Sequence, residues 1–568
     1  MSQVPELIYQ RPRWVKVAFW VALGLALVLA ALPTLLYPLT RDQGIYAYIA
    51  DLMLHGGAPF RDAWELKPPA AYFVYSLAFL LFGRSELGVR LFDVLYALLS
   101  AAAVGALAWE AYRDRRIAAL SAWLYAFSYY FSVHFHAMAT PEAFMSPWLV
   151  ASVYGMLHAV RKKSPRALFA GGACAGLVFW FKPTAGLPVV AMLVWACTQM
   201  RREHWTRSQV WRGLIAFVAG GLVGLLPIGL YLYGHGLREL LEIWSAYGTG
   251  AYLEAGGLVR GDSFFAALDV MLRYVRDWQL VAWLTLAGTV SALAWRRRNR
   301  NGEALVVFLL SSLLATLVQA KLFEYHWIPI LAPAAVLAAM CLVWLAQEMR
   351  DRPSVLLCDM RNIFVLTVVL GLALWLGYEH LGRYRSTIAF LTGRRSAEQY
   401  YAQFDLGYDF SAIGTRQAAA YLRNHTTPEQ TVLIWGVEPL LNFLAGRRSP
   451  TNFISFYVLV DGKDRNPRWE AWRQDFLQDL RSKPPAYIVL VERDVTPLAP
   501  VGSRARLEEF PAFKQILETQ YQFEAQVEDY QFYRLKSLAA QPIGSMKKAS
   551  SLCPDPYIAF SCDSCIIG

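Results

Sequence analysis

The sequence predicts a polytopic α-helical membrane protein with a soluble α/β domain towards its C-terminal end, and three observations carry that prediction. The 568 residues are 56% hydrophobic and only 17% charged, whereas soluble chains carry charge on about a quarter of their residues. The apolar residues fall into blocks of roughly 17–25, each long enough to cross about 30 Å of hydrocarbon as a helix. The basic residues behind the net charge of +11 lie in short clusters between those blocks. Cytoplasmic membrane loops have that pattern, so the charge reports topology and a lipid bilayer as partner, with no nucleic acid.

The blocks lie near residues 17–38, 67–83, 87–110, 117–133, 143–160, 167–181, 184–200, 213–233, 277–295, 303–319, 327–346 and 361–379. The first follows Arg11, Arg13 and Lys16 and reads as a retained signal-anchor. The second decides the topology. If 67–83 crosses, the basic clusters alternate wrongly from Tyr112–Arg116 onward. If it lies along the outer interface, Arg113/Arg115/Arg116, Arg161/Lys162/Lys163/Arg166, Arg201/Arg202/Arg207/Arg212, Arg296–Arg298/Arg300 and Arg350/Arg352/Arg361 all fall inside, and every loop obeys the positive-inside rule. The expectation is therefore about eleven spans and a long first outer loop, Thr40–Val89, with two interfacial helices. Val133–Glu142, the stretch from Gly234 to about Arg276, and the turns Lys182–Pro183 and Lys321–His326 also face outward.

Residues 1–383 then form the membrane domain and 384–538 an extracytoplasmic α/β domain, followed by a flexible tail at 539–568. In the α/β part, helices at Ser411–Asn424 and Trp469–Arg481 precede apolar strands at Thr431–Gly436 and Ala486–Glu492. Tyr521–Val527 and Tyr530–Leu535 alternate as a closing antiparallel pair. Cys174, Cys197, Cys341 and Cys358 sit in or beside apolar blocks, while Cys553, Cys562 and Cys565 fall in the polar tail with no His nearby to complete a metal set.

Ionisable residues gather on the outer face. Arg41-Asp42-Gln43-Gly44-Ile45-Tyr46 follows the first span, where a carboxylate is not needed as an anchor; the plainer reading is a solvated acid paired with Arg41. The loop continues through Arg61-Asp62-Ala63-Trp64-Glu65-Leu66-Lys67-Pro68-Pro69, mixing both charges with aromatics. The stiff Pro-Pro step holds Lys67 at headgroup depth, where a cation suits a lipid phosphate; a snorkelling lysine is the alternative. Thr140-Pro141-Glu142 puts an acid at a span's start, where the helix dipole also favours one. Lys182, and the group Lys321, Glu324, Tyr325 and His326, lie at the edges of spans, where ionisable groups are expensive and functional by default.

Asp42-Gln-Gly-x-Tyr46, Tyr48-Ile-Ala50, Gly57-x-Pro59-x-Arg61-Asp62, Lys67-Pro-Pro69, Leu81-Phe-Gly83 and Val89-Arg-Leu91 together resemble the first outer loop of the lipid-carrier-dependent glycosyltransferases of the GT-C superfamily. Within it the likeness is to family 39, the protein mannosyltransferase and lipid A aminoarabinose transferase group. Gly171–Phe179, Lys182-Pro and Lys321-x-x-x-Tyr325-His326-x-x-Pro329 extend the resemblance over about residues 15–345. It implies a GT-C fold, with Asp42 as catalytic centre and Lys67 on the donor's phosphate. Glu142 matches a second outer acid that is often Asp. Gln43 departs from the pattern, since relatives often carry Glu there.

Topology gives an independent argument about the substrate. Nucleotide sugars are cytoplasmic, so a sugar used on the outer face must arrive on a flipped lipid carrier. The expected activity is hexosyl or pentosyl transfer from a polyprenyl-phosphate sugar to a hydroxyl of a glycan, lipid or protein, at a bacterial inner membrane. Asp42 is expected to act as general base in one inverting displacement. Lys67, helped by Arg61, Lys182 and Lys321, is expected to neutralise the departing phosphate. Glu142 would orient the acceptor or a cation, with Arg41, Tyr46, Asp62, Glu65, Glu324, Tyr325 and His326 lining the substrate. No cofactor is required by this scheme, and a divalent metal stays open. Two rivals stand beside it: a transporter or flippase for lipid-linked glycans, which would more often show repeats and midplane charges, and a tethered binding protein working through its C-terminal domain.

Overall fold

The computed structural model describes residues 13–248, 279–294, 300–319, 323–351, 381–407, 410–461, 466–492 and 501–539, with single residues or pairs between them. Most of the apolar block at 361–379 and of 249–276, and the tail with its three cysteines, lie outside the described residues.

Every other expected span is a helix: α1 (Arg13–Ala31), α4 (Glu86–Tyr112), α5 (Arg115–Ser132), α6 (Pro141–Lys162), α7 (Pro165–Phe181), α8 (Gly186–Arg202), α9 (Arg207–His235), α10 (Gln279–Ala294), α11 (Arg300–Val318) and α12 (Leu331–Asp351). Among the described residues, six helices are long and apolar enough to cross a membrane alone, or seven if α1 and the next helix count as one bent span. Of the others, α5, α7 and α10 pack against members of these six, and α1 packs against α5. Their ends follow from local chemistry. Asp114 accepts the Arg116 N–H at 2.8 Å, Ser85 that of Gly88 at 3.0 Å, and Pro141 and Pro165 occupy first turns where no N–H partner is lost.

The stretch between α1 and α4, expected as the first outer loop, holds α2 (Arg41–Leu54) and α3 (Ala70–Phe82). The chain turns by 78° between α1 and α2. With 13 residues, α3 is about 20 Å long, short of the hydrocarbon thickness, which agrees with an interfacial helix.

The two ends of α6 differ in chemistry. At its C-terminal end Arg161 binds the buried Glu110, which also holds Arg113. At its N-terminal end Glu142 binds Lys182. Glu142 and Arg161 stand near opposite ends of this helix, so the two clusters lie about 29 Å apart.

Helices α7 and α9 meet through glycines. A methyl group added at Gly220 would fall onto the carbonyl oxygen of Phe169, and one at Gly172 onto that of Phe217. The backbones touch because nothing intervenes, which is how helices associate in lipid without a hydrophobic driving force. Gly220→Ala is expected to lower stability by about 1–3 kcal/mol, read as a lower melting temperature of the purified protein in detergent.

The C-terminal part contains α13 (Ala412–His425), β1 (Val432–Trp435), α14 (Pro439–Ala445), α15 (Trp469–Ser482), β2 (Tyr487–Val491), α16 (Pro511–Gln520), β3 (Tyr521–Val527) and β4 (Tyr530–Leu535). The strand order is β1-β2-β4-β3, with β1 and β2 parallel and the other pairs antiparallel. Strand alternation sends Leu433, Trp435, Ile488 and Leu490 to one face, into a core continuous with the membrane helices. Val432, Ile434, Val489 and Val491 face the other way, under Ala418 and Leu422 of α13. Both faces are buried, so β1 and β2 read as unbroken apolar runs.

Candidate active site

The site begins at the first turn of α2. Asp42 lies there, where an acid is favoured by the helix dipole. Lys67 is set opposite by a pinned backbone: Glu65 Oε1 accepts the N–H groups of Leu66 and Lys67 at 2.9 and 3.2 Å, and the Tyr72 hydroxyl donates to the Lys67 carbonyl at 3.1 Å. Lys67 Nζ then reaches Asp42 Oδ1 at 2.7 Å and lies 5.2 Å from the centroid of the Tyr46 ring. The ion pair is only partly covered, with 26% and 29% of the two side chains exposed.

The segments around Glu142, Lys182 and Tyr325 meet this pair. Lys182, at the C-terminal end of α7, donates to Glu142 Oε1 at 2.6 Å and lies 5.6 Å from the Tyr325 ring centroid. The Tyr325 hydroxyl donates to the Asp42 carboxylate. His326 Nε2 is 3.9 Å from Glu142 Oε1 and within electrostatic reach of Lys182 and Lys321. Burial on its own raises the Asp42 carboxyl, but Lys67, Tyr325 and Lys182 together outweigh it and hold Asp42 below the usual carboxylate range. Burial also lowers the Lys321 ammonium to about 8. Behind the pair, Glu142 Oε2, Ser312 Oγ and His326 Nδ1 are buried without a hydrogen-bond partner among the described residues, and these side chains line one small cavity.

The structure thus brings Asp42, Lys67, Tyr46, Glu142, Lys182, Tyr325 and His326 together, with Lys321 close by. It puts the remaining candidates elsewhere. Arg61 and Asp62 pair with each other at 2.6 Å on an exposed loop, where Asp62 also accepts the Ala58 N–H. Glu65 accepts from backbone beside Lys67. Glu324 receives His134 at 2.9 Å and His136 at 3.1 Å, tying the second outer loop to the third turn. Among the described residues, no group of three His, Cys, Asp or Glu is arranged to hold a metal.

Arg41 reaches into the C-terminal domain, where its Nε meets Glu438 Oε1 at 2.5 Å and its charge is felt by the buried Asp494. Next to it, α14 packs so closely that any side chain at Gly44 would collide with Leu440. Residue type alone gave no sign of Glu438, since 397 positions separate it from Arg41. Glu438→Ala removes one partner of a buried pair, and is expected to cost about 3–5 kcal/mol, measured by thermal unfolding of the full chain.

Fold and site together define a polytopic α-helical membrane protein with a small α/β domain towards its C-terminal end. The comparisons with known proteins are more particular. Residues 66–228 match the family model described as dolichyl-phosphate-mannose-protein mannosyltransferase. The chain is 24% identical over 289 residues to an undecaprenyl phosphate-alpha-4-amino-4-deoxy-L-arabinose arabinosyl transferase of Proteus mirabilis, covering 48% of this chain and 49% of that one. The chain therefore spans about half the length of that curated relative. Its fold matches the crystal structure of ArnT from Cupriavidus metallidurans bound to undecaprenyl phosphate, with a TM-score of 0.58 and 16% identity over 92% of this chain and 98% of that one. The apo structure of the same protein matches with a TM-score of 0.57, at 16% identity over 91% and 98%. The resemblance read from the first outer loop is borne out.

Proposed function

We propose that this chain moves a sugar from a polyprenyl-phosphate donor to an acceptor hydroxyl, in a single displacement centred on Asp42. The observation that carries the reading is the pairing of Asp42 with Lys67 at 2.7 Å, at the junction of three outer turns and beside the membrane helices. A base and a phosphate-binding cation thus stand one hydrogen bond apart, as an in-line transfer from a lipid phosphate requires.

In this reading the donor phosphate draws Lys67 away from Asp42, so donor binding itself frees the carboxylate. Asp42 then takes the acceptor's hydroxyl proton as the acceptor oxygen bonds to the anomeric carbon and the bond to the phosphate oxygen breaks. Polyprenyl phosphate leaves with its charge met by Lys67 and Lys182, with Tyr325 beside them. Glu142 keeps Lys182 in place, and the small cavity behind it offers buried polar groups to the sugar or acceptor. The relatives' printed donors, undecaprenyl- and dolichyl-phosphate sugars, support the carrier class and leave a hexose or a pentose equally open.

The site belongs on the extracytoplasmic face of a bacterial inner membrane. The support is the basic cluster about Glu110 and Arg161, at the opposite membrane edge from Glu142. The test is to incubate the purified chain in lipid nanodiscs with undecaprenyl-phosphate pentoses and hexoses and an envelope fraction. Release of undecaprenyl phosphate with label transfer is expected. A chain that consumes none of these donors would overturn the reading. Intact-mass comparison of envelope lipids, glycans and proteins with and without the chain names the acceptor.

A further inference from the structure

Gln43 sits beside Asp42, at the position where the resemblance expects a carboxylate, and it is completely buried. All of its hydrogen-bonding capacity is used. Its Oε1 accepts the Thr40 N–H at 2.9 Å and a guanidinium N–H of Arg90 at 3.2 Å. Its Nε2 donates to the carbonyls of Phe135 at 3.0 Å and Met138 at 2.5 Å. The partners fix which end is oxygen and which nitrogen, because N–H donors face one end and only backbone carbonyls, that of His136 included, face the other. Arg90, itself 1% exposed, continues the network to the carbonyls of Tyr37 at 3.2 Å and Pro38 at 2.5 Å. The loop that Gln43 grips leads through Ala139, held at a positive φ of 55°, into Thr140 and Glu142.

We propose that Gln43 is a positioning residue: its amide locks the helix bearing Asp42 to the loop that leads into Glu142, and only a side chain that both accepts and donates can do so. The inference rests on the proposed transfer reaction for its kinetic consequence, although the lock itself does not. A carboxylate at this position accepts only, and would set a negative oxygen against the Phe135 and Met138 carbonyls. Protonation restores one donor. The charged and titratable groups facing this position are Arg90 from α4 with Asp93 behind it, Asp42 on the same helix, and His134, His136 and Glu324 on the loop side. Arg90 favours the ionised form of a new carboxylate, while the two carbonyls and Asp42 oppose it.

The test compares wild type, Gln43→Glu and Gln43→Leu as full chains in nanodiscs. Hydrogen exchange of residues 134–140 and donor turnover are followed across pH, each as a ratio to wild type. With Gln43→Glu, exchange of the loop is expected to rise at least about 10-fold at high pH and to return towards wild type as pH falls. Turnover is expected to follow, with polyprenyl-phosphate affinity changed less than about 3-fold. Gln43→Leu is expected to show the faster exchange at every pH. Wild-type exchange in Gln43→Glu at high pH would overturn the proposal, as would equal, pH-independent loss in both variants. If Gln43→Glu does not fold, wild-type exchange in Gln43→Leu overturns it alone. A wild type that turns over no donor defeats the functional reading, while the exchange data still decide the lock.

Discussion

Asp42→Asn is expected to abolish sugar transfer, lowering turnover by about two to four orders of magnitude, while the protein remains folded and still binds polyprenyl phosphate. The amide matches the carboxylate in size and still accepts from Tyr325 and Lys67, so the local hydrogen bonds are largely kept. What is lost is the ability to take a proton. Because Lys67, Tyr325 and Lys182 overcome the effect of burial and hold Asp42 below the usual carboxylate range, the wild-type base stays ionised far into acid. Turnover at sub-saturating donor, which reports the free enzyme, should therefore fall only as pH drops through that depressed value, not near neutrality. Turnover is measured with a labelled donor and binding by the shift in melting temperature on adding undecaprenyl phosphate. Near wild-type turnover by Asp42→Asn would remove the residue from the chemistry.

Lys67→Met is expected to cost about 10²–10³ in turnover, the usual loss when a donor aimed at developing charge is removed, and also to weaken phosphate binding. It carries a second signature. Burial is the largest influence on Asp42 and acts to raise it, and Lys67 is the foremost group opposing that. Without the lysine, the carboxyl rises, and the acid limb of the residual activity moves to higher pH. A variant that loses turnover while keeping the wild-type acid limb would show that Lys67 serves the donor alone and not the base.

Much of this arrangement was legible in the sequence, because the signals were local. The block lengths gave the helices, and the basic clusters between them separated the spanning segments from the short α3. Short apolar runs gave β1 and β2, and alternation gave β3 and β4, nearly to the residue. Asp42, Lys67, Glu142 and Lys182 stood out as ionisable groups at helix ends, where an apolar background makes any charge conspicuous. The partners of those groups were not legible. Arg41 and Asp62 looked like equals of Asp42 in a charged loop, yet one pairs with Glu438 and the other with its neighbour Arg61. Nothing in residue type distinguishes an acid that meets a lysine across a site from one that meets the adjacent arginine; only the turn at Pro59–Asp62 decides. Gln43 was visible as a departure, and Thr40-x-x-Gln43 has the spacing of a helix-capping pair. Its grip on the second loop depends on carbonyls of Phe135 and Met138, and backbone carbonyls leave no mark on a sequence.

The contact of α14 with α2 has a consequence for how the protein comes into being. Arg41 emerges from the ribosome 397 residues before Glu438. At about 5–20 residues per second, the helix carrying Asp42 waits on the order of 20–80 s for the segment that braces it. During that interval the nascent chain already has its early membrane helices, while α2 lacks its partner α14. A product ending before Glu438 would lack the contact that braces α2, so a late truncation is felt at the helix that carries Asp42.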